Sequence, residues 1–295
     1  MGTADAVPGV SGGTVALLLG FYERLITAVS GFGPSTFLAA LEDWNGEKIE
    51  HARDVIEDLD LVFLITLGLG MVTAVALVAR GVTWLYGTYP VPLFGFFTGL
   101  IAASALVLYR GLRVQTSGEW AAAIAGFAFA FFVSGGGFEL ATGGYAGVFL
   151  AGMFAISAMV LPGISGSLIL LLLGKYVYMS SELTAFTDGL VLVVTSGSVD
   201  DIVAPAMTVF VFVAGGFVGL VTIARVIRVV LTRHRSATLA FLVSLITGSV
   251  RAPLEEVNTH VGWSVDSTLV VLGWAVLGAI VLIGLDILAG GFDPE

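Results

Sequence analysis

An apolar run without a single charge extends from residue 140 to residue 174, and the motif Pro162-Gly163-Ile164-Ser165-Gly166-Ser167 interrupts it near its middle. Such runs are typical of membrane-spanning helices, each of which needs about 20 apolar residues. Proline, glycine and serine at this depth would break the helix and free backbone N–H and C=O groups. A membrane tolerates such a break only where protein or a polar cavity satisfies those groups. The sequence therefore predicts a broken or re-entrant helix inside a membrane protein.

A matching motif, Pro8-Gly9-Val10-Ser11-Gly12-Gly13-Thr14, stands near the start of the chain. At an offset of 154, ten of the nineteen positions from residue 4 to residue 22 are identical to their partners. Further along, an offset of 145 gives seven identities in 35 positions, among them Arg80 with Arg225 and Phe96 with Phe241. We expect two inverted repeats with a binding site where they meet. Parallel repeats, or a duplication kept only for packing, are the alternatives.

The composition supports an integral membrane protein. Hydrophobic residues make up 57% of the chain and charged residues only 12%, and the mean hydropathy is +1.02, whereas a soluble domain carries roughly 25% charged residues. There is no cysteine, which excludes disulfides and thiolate metal sites. The net charge of −10 and the scarcity of lysine have two interpretations: a solvated acidic loop, or an acidic surface suited to the salt-rich surroundings of a halophile.

We predict an all-α, polytopic membrane protein with a single transmembrane domain over residues 1–295. Repeat one would cover residues 1–115 and repeat two residues 144–255, with a linking helix and glycine-rich loop at 116–143. A C-terminal loop and a final transmembrane helix would follow at 256–295. The protein is expected in the plasma membrane of a prokaryote. The first motif lies so close to Met1 that we expect the natural chain to begin further upstream.

Individual elements follow from charges, prolines and glycines. We expect a span at 61–79 that ends at Arg80 and Trp84, a helix at 92–109 after a proline turn, and a helix at 165–178 leaving the second break. Residues 180–201 are mixed polar and predict a loop. Pro205 would occupy the first turn of the next helix, where its missing N–H costs nothing. The arginines between 225 and 235 are the best candidate for the cytoplasmic side.

The two breaks are the predicted binding site. The first N–H groups of a helix have no partner within it, and its dipole places about half a positive charge there. Serine and threonine hydroxyls add donors, and glycines let an anion approach the backbone. Two such ends near mid-bilayer could hold a phosphate or carboxylate; the alternative is that the motifs only permit kinks and close helix packing. The candidate residues are Pro8, Gly9, Ser11, Gly12, Gly13, Thr14, Pro162, Gly163, Ser165, Gly166 and Ser167.

Four ionisable residues are further candidates for headgroup binding or coupling, because charges at membrane depth are costly. Asp5 precedes the first break, and an N-terminal capping role is its alternative. Glu23 follows the first half-helix, where an interfacial position is the alternative. Arg80 and Arg225 could close on an anionic headgroup or serve as simple interfacial anchors.

The serines also permit an enzymatic interpretation. Gly-Val-Ser-Gly and Gly-Ile-Ser-Gly match the short string around the nucleophile of intramembrane serine proteases. A serine nucleophile needs a base within hydrogen-bonding reach, and we expect His51, His234 and His260 to lie in polar loops instead. Because no nucleotide-binding or metal-binding motif occurs on a suitable element, we expect no enzyme, no cofactor and no metal.

Several motifs together resemble the family catalogued as Domain of Unknown Function 368. They are Ala4-Asp5-Ala6-Val7 with the first break, Gly20-Phe21-Tyr22-Glu23, Tyr89-Pro90-Val91-Pro92, Leu161 with the second break, and Ala237-Thr238-Leu239-Ala240-Phe241. The resemblance covers nearly the whole chain. Members normally carry an apolar lead-in before the first motif, and this chain begins almost at the motif itself.

The resemblance implies a polyprenyl-phosphate translocase that returns the lipid carrier of cell-envelope glycan synthesis to the cytoplasmic leaflet. The carrier would be undecaprenyl phosphate in a bacterium and a dolichyl-type phosphate in an archaeon. The implied partners are membrane lipid and the polyprenyl phosphate itself, with coupling to protons or another ion and with no nucleic acid. A transporter or channel for a small soluble anion is the main alternative, and an intramembrane hydrolase using Ser11 or Ser165 is the weaker one.

Overall fold

The computed structural model describes residues 1–30, 60–112, 114–137, 143–159, 164–197 and 199–288, and in these ranges the regular structure is helical. The all-α prediction is therefore confirmed. The helices are α1 (Gly2–Ala6), α2 (Gly12–Leu18), α3 (Tyr22–Ser30), α4 (Leu61–Thr88), α5 (Pro90–Arg110), α6 (Ser117–Phe132), α7 (Gly144–Ala158), α8 (Gly166–Leu172), α9 (Tyr176–Ser196), α10 (Asp200–Arg233), α11 (Arg235–Ser249), α12 (Arg251–Val261) and α13 (Val265–Leu288).

Seven helical segments of the described chain are long and apolar enough to cross a membrane: α4, α5, α6, α9, α10, the run of α11 with α12, and α13. The protein is thus a multi-pass membrane protein. α7 is apolar but shorter, and α1, α2 and α8 have five to seven residues each. These short helices flank the two sequence breaks. They are packed among the long helices, as an interrupted helix in a membrane requires.

The structure corrects three expectations about helix boundaries. α4 continues past Arg80 to Thr88, because one charge near an interface does not end a helix. α10 begins at Asp200, so Pro205 lies inside it and not in its first turn. The helix expected at 165–178 is divided, because Gly174 adopts φ +66° between α8 and α9, a conformation that glycine adopts without strain.

The polar loop predicted at 180–201 is mostly helix α9. Two of its polar side chains, four residues apart and so on one helix face, contact α4: the hydroxyl of Thr184 lies 3.4 Å from that of Thr83, and Asp188 pairs with Arg80. Polar groups that meet a neighbouring helix can be accommodated within a membrane bundle. The prediction of a loop was wrong because it counted polar residues without considering the face on which they lie.

Close packing through glycine joins three pairs of helices. In α5 with α13, in α6 with α11, and in α7 with α10, a glycine of one helix lies against a backbone carbonyl of the other, so that a Cβ there would collide with the oxygen. Small residues at such contacts are typical of membrane helices, whose association depends on close van der Waals contact. The contacts are Gly99 on Ala275, Gly278 on Phe96, Gly126 on Phe241, Gly248 on Phe127, Gly152 on Phe212, Gly215 on Phe149, and Gly219 on Met153.

The core is formed chiefly by α5 and α8. Phe94, Leu100 and Ile101 of α5 are fully buried, and Leu168 and Leu172 of α8 are buried beside them. The outer helices α4, α10 and α13 instead expose many large apolar side chains, as helices facing lipid do. A short helix that follows a break therefore lies at the centre of the protein.

Gly99→Ala should weaken the α5–α13 contact, because the new methyl group would collide with the carbonyl oxygen of Ala275. Overpacking of this kind costs about 1–3 kcal/mol, so the detergent-solubilised variant should unfold at a lower temperature. Gly273→Ala on α13 is the matched control, since its Cβ would meet nothing within 4 Å. Equal thermal stability of the two variants would contradict the assigned contact.

Candidate functional site

The first break is held by an aspartate. α1 ends at Ala6, Pro8 is buried, and Gly9 takes φ +90° where its backbone passes the backbone of Ile101. The chain then turns into α2, and the N–H of Gly12 donates to Asp5 Oδ1 at 2.8 Å. Asp5 thus satisfies one of the N–H groups that the break sets free. Its other oxygen, Oδ2, is buried and has no hydrogen-bond partner in the described part of the chain.

The second break is held by a serine. Ser165 is the N-cap of α8 and its Oγ accepts from the N–H of Leu168 at 3.2 Å. The same oxygen lies 3.1 Å from Ser167 Oγ, and both side chains are buried. Pro162 and Gly163 fall outside the described residues. Ser165, one of the hydroxyls predicted to bind a ligand, is therefore also the group that caps the half-helix.

A cavity of about 300 Å³ brings the end of α1 together with the second break. Asp5 and Ala6, just before the first break, line it on one side, and Gly166 and Ser167 of the second break line it on the other. The hydroxyl of Tyr176 on α9 donates to the carbonyl of Ala6 at 2.7 Å across the same region, and α1 contacts α8 directly. We call this the central cavity.

Residues of the first motif itself lie away from the central cavity. Ser11 and Thr14 line a smaller cavity of about 70 Å³, together with Gly9 and with Ser104 of α5 and Asp286 of α13. Gly13 lies two residues after Ser11, and a Cβ added there would lie 3.6 Å from Ser11 Oγ. The structure thus places Gly9, Ser11 and Thr14 of the first motif at a different cavity from the central one, where Asp5 and Ala6, just before that motif, meet residues of the second break.

The four ionisable candidates are spread out. Asp5 lines the central cavity, while Glu23 is exposed on α3. Arg80 forms an ion pair with Asp188 of α9, although both side chains are about half exposed, and its neighbour Ala79 lines the central cavity. Arg225 lies in α10, with its side chain outside what the structure describes.

Next to Glu23, Arg24 binds the carboxylate of Asp60 through two hydrogen bonds and lies 4.3 Å from the ring of Phe63. Hydrogen bonding to Arg24 lowers the pKa of the Asp60 carboxyl below its ordinary value, and the guanidinium charge acts in the same direction. These contacts of Arg24 connect α3 to the start of α4.

Sequence reasoning missed two long-range contacts, one of which lies at the central cavity. Tyr176 reaches the first break over a sequence separation of 170 residues, and Asp188 reaches Arg80 over 108. The identity of Tyr22 with Tyr176 in the repeat alignment singled out the position, but nothing local in the sequence indicated its partner.

The expectation that His260 lies in a loop was wrong, because it belongs to the amphipathic helix α12. Its ring packs edge-on against Tyr86 at 4.9 Å, and its Nδ1 lies 2.7 Å from the carbonyl of Glu256. His234 lies between α10 and α11, and His51 is outside the described residues. No group of three or more potential metal ligands lies in the described part of the chain.

These features define a class of protein: a polytopic helical membrane protein in which two interrupted segments meet at an internal cavity. Comparison with known families makes the class specific. The model of the VCA0040-like, undecaprenyl phosphate translocase-like family matches residues 1–268, and the chain belongs to this family.

Two curated relatives carry the name polyprenyl-phosphate transporter. The one from Vibrio cholerae is 33% identical over 270 residues, which cover 91% of this chain and 79% of the relative. The one from Staphylococcus aureus is 30% identical over 287 residues, which cover 92% of this chain and 90% of the relative. No solved structure matches the chain significantly.

Tyr176→Phe should loosen the contact between the two breaks. Removing the phenolic hydroxyl leaves the carbonyl of Ala6 without this donor, and loss of such a hydrogen bond costs about 0.5–1.5 kcal/mol. Thermal unfolding in detergent should show the loss. Tyr178→Phe is the control, since Tyr178 is exposed on the same helix. A variant at 176 as stable as the control would show that this hydrogen bond does not hold the breaks together.

Proposed function

We propose that this protein transports polyprenyl phosphate between the leaflets of the membrane, with the phosphate passing through the central cavity. One observation carries the proposal: Asp5 and Ala6, just before the first break, meet Gly166 and Ser167 of the second break around one cavity. A phosphate that crosses a bilayer needs polar groups at membrane depth. Interrupted helices that meet between repeats supply such groups in other transporters.

The walls of the central cavity suit a substrate that is partly apolar. Its polar side chains are those of Asp5, Ser167, Tyr176 and Ser180, and the other lining residues are apolar or glycine. Two of them, Met159 and Val213, are also 42% and 55% exposed on the outer surface. A lipid headgroup could therefore reach the cavity from the side while its chain stays in the membrane.

The same observations disfavour the two alternatives. A pathway for a small soluble anion would need a polar lining along its length, whereas the central cavity is mainly apolar. A hydrolase would need a base beside its serine, whereas the described partners of Ser165 Oγ are the hydroxyl of Ser167 and the N–H of Leu168. We therefore infer a transporter and not an enzyme.

Helix contacts support the inference of two repeats. Under the two sequence offsets, α4 corresponds to α10, α5 to α11, and the end of α1 to the end of α7. The contact of α1 with α4 then has its counterpart in that of α7 with α10. Likewise, the α5–α13 pair corresponds to the pair of α11 with α6 if α6 and α13 are also equivalent. A duplicated unit would produce such matching contacts.

We infer that Asp5 couples transport to a cation. Its Oδ1 is engaged by Gly12, whereas Oδ2 is buried without a partner in the described chain and belongs to a residue that lines the central cavity. A second negative charge entering this cavity would be repelled strongly, because charges interact more strongly away from water. A proton or a small cation such as Na⁺ at Asp5 would remove the repulsion.

Replacing both serines of the second break, Ser165→Ala with Ser167→Ala, should slow leaflet exchange of labelled polyprenyl phosphate in proteoliposomes at least tenfold. The reason is that a headgroup in the cavity would lose a hydroxyl donor and the cap that orders α8. Ser157→Ala is the control: Ser157 is equally buried, but its hydroxyl donates to Met153 within α7. Unchanged exchange in the double variant would refute the assigned site.

Asp5→Asn should make exchange insensitive to the coupling cation while leaving an oxygen to accept from Gly12. In wild type we expect the rate to depend on either pH or Na⁺, measured separately across a range of each. The phosphate of the substrate itself titrates near pH 6, so a weak pH dependence that the variant shares is assigned to the lipid. If wild type and variant respond identically to both cations, Asp5 is not the coupling group.

A further inference from the structure

An apolar groove of about 510 Å³ lies on the other side of the second break from the central cavity. Five helices wall it, namely α6, α7, α8, α10 and α11. Its volume falls within the range of roughly 300–1,000 Å³ that is common for small-ligand pockets. The mouth of the groove carries exposed side chains, including Phe129, Phe154 and Val226, so the groove opens on the surface that faces lipid.

The lining is apolar throughout. Thr238 is the only polar side chain among its fifteen described lining residues, and the hydroxyl of Thr238 donates to the carbonyl of His234 in its own helix. Three phenylalanines, Phe129, Phe154 and Phe241, contribute to the walls. A headgroup would find no donor here, whereas a hydrocarbon chain would find close contacts on several sides.

The groove is continuous with the second break. Ile164, which directly precedes the capping Ser165, lines the groove, and so do Ile169 and Leu172 of α8. On its other side α8 presents Gly166 and Ser167 to the central cavity. One short helix therefore separates a cavity with polar groups from an apolar groove, an arrangement that matches a molecule with a charged head and an apolar chain.

The charge at one end of the groove favours an anionic lipid. Val226 and Val230 line the groove from the last part of α10, and the sequence carries arginines at positions 225, 228, 233 and 235 around them. α10 has 34 residues and is therefore about 51 Å long, which exceeds the roughly 30 Å hydrocarbon core. Its arginine-rich end thus lies near an interface, where basic residues attract anionic headgroups.

The first half has a related but much smaller space. In the repeat alignment Ile164, Ile169 and Leu172 correspond to Val10, Val15 and Leu18, and these three line the cavity of about 70 Å³. There Leu282, Leu285 and Asp286 of α13 complete the lining. The half-helices thus present equivalent positions to a wide apolar groove in one half and to a narrow, partly polar cavity in the other.

We propose that this groove binds the isoprene units of polyprenyl phosphate that lie nearest to its phosphate, and that it selects branched isoprenoid chains over straight ones. The inference rests on the proposed function and extends it. It assigns a defined binding site to part of the isoprenoid chain, so that the whole isoprenoid chain is not left in bulk lipid. The groove's walls thereby determine which phosphorylated lipids are transported.

Two neighbouring valines on α10 provide a matched test. Val230 lines the groove and is 42% exposed, whereas Val229 is 45% exposed and is not among the groove's lining residues. A tryptophan is well tolerated near a membrane interface, so Val230→Trp should fold and fill the groove, while Val229→Trp should project elsewhere. Exchange of labelled polyprenyl phosphate between leaflets is compared for both variants and wild type, alongside a straight-chain alkyl phosphate of similar length.

We expect Val230→Trp to slow polyprenyl-phosphate exchange at least tenfold, Val229→Trp to stay within twofold of wild type, and wild type to prefer the polyprenyl over the alkyl substrate. Equal rates in the two variants, or no preference between the substrates in wild type, would overturn the groove assignment while leaving transport itself intact. If Val230→Trp does not fold, Val226→Trp replaces it, since Val226 also lines the groove.

A binding measurement separates failure of this inference from failure of the proposed function. If wild type shows no exchange above protein-free vesicles, the proposed function fails. Binding of polyprenyl phosphate to purified protein in detergent then still tests the groove. At least tenfold weaker binding to Val230→Trp than to Val229→Trp would support it, and equal binding would overturn it.

Discussion

Every N–H and C=O group that an interrupted helix releases inside a membrane needs a partner, and the central architecture of this protein answers that requirement. Asp5 accepts from Gly12 at the first break, and Ser165 accepts from Leu168 at the second. Tyr176 donates to the carbonyl of Ala6. Because lipid offers no hydrogen bonds, these partners must come from protein, which accounts for the burial of Pro8, Ile164 and Ser165 at the described parts of the two breaks.

The same constraint explains why structure and binding are difficult to separate here. Asp5 and Tyr176, which help to order the first break, also border the central cavity. Ser167 contacts the capping Ser165, and Asp5 uses one oxygen for Gly12 while the other remains buried without a partner in the described chain. A headgroup entering the cavity would compete with, or add to, hydrogen bonds that already hold the half-helices. Binding of substrate could therefore alter the geometry of the breaks.

Local features of the sequence predicted the helical membrane fold and the position of the breaks. The length of an apolar run indicates whether it can span a membrane, and the Pro-Gly-Val/Ile-Ser-Gly motif interrupts the helix at its own position. Contacts over long separations were out of reach: Arg80 with Asp188, and Tyr176 with Ala6, depend on how whole helices pack. α9 was missed for the same reason, since its polar residues signal a loop until α4 is placed beside them. The motifs of the two halves were expected to form one pocket, and the structure places Ser11 and Thr14 around a different cavity from Ser167.

The glycine contacts carry a consequence for motion. Where the backbone of one helix touches that of another, as in α5 with α13, α6 with α11 and α7 with α10, there is little free space for one partner to slide or rotate against the other. Each pair should therefore move as a rigid body. Any rearrangement that carries a substrate across the bilayer should occur mainly at the boundaries between pairs. α8 lines a groove together with helices of two of these pairs, α6 with α11 and α7 with α10, so one such boundary adjoins the interrupted backbone of the second break.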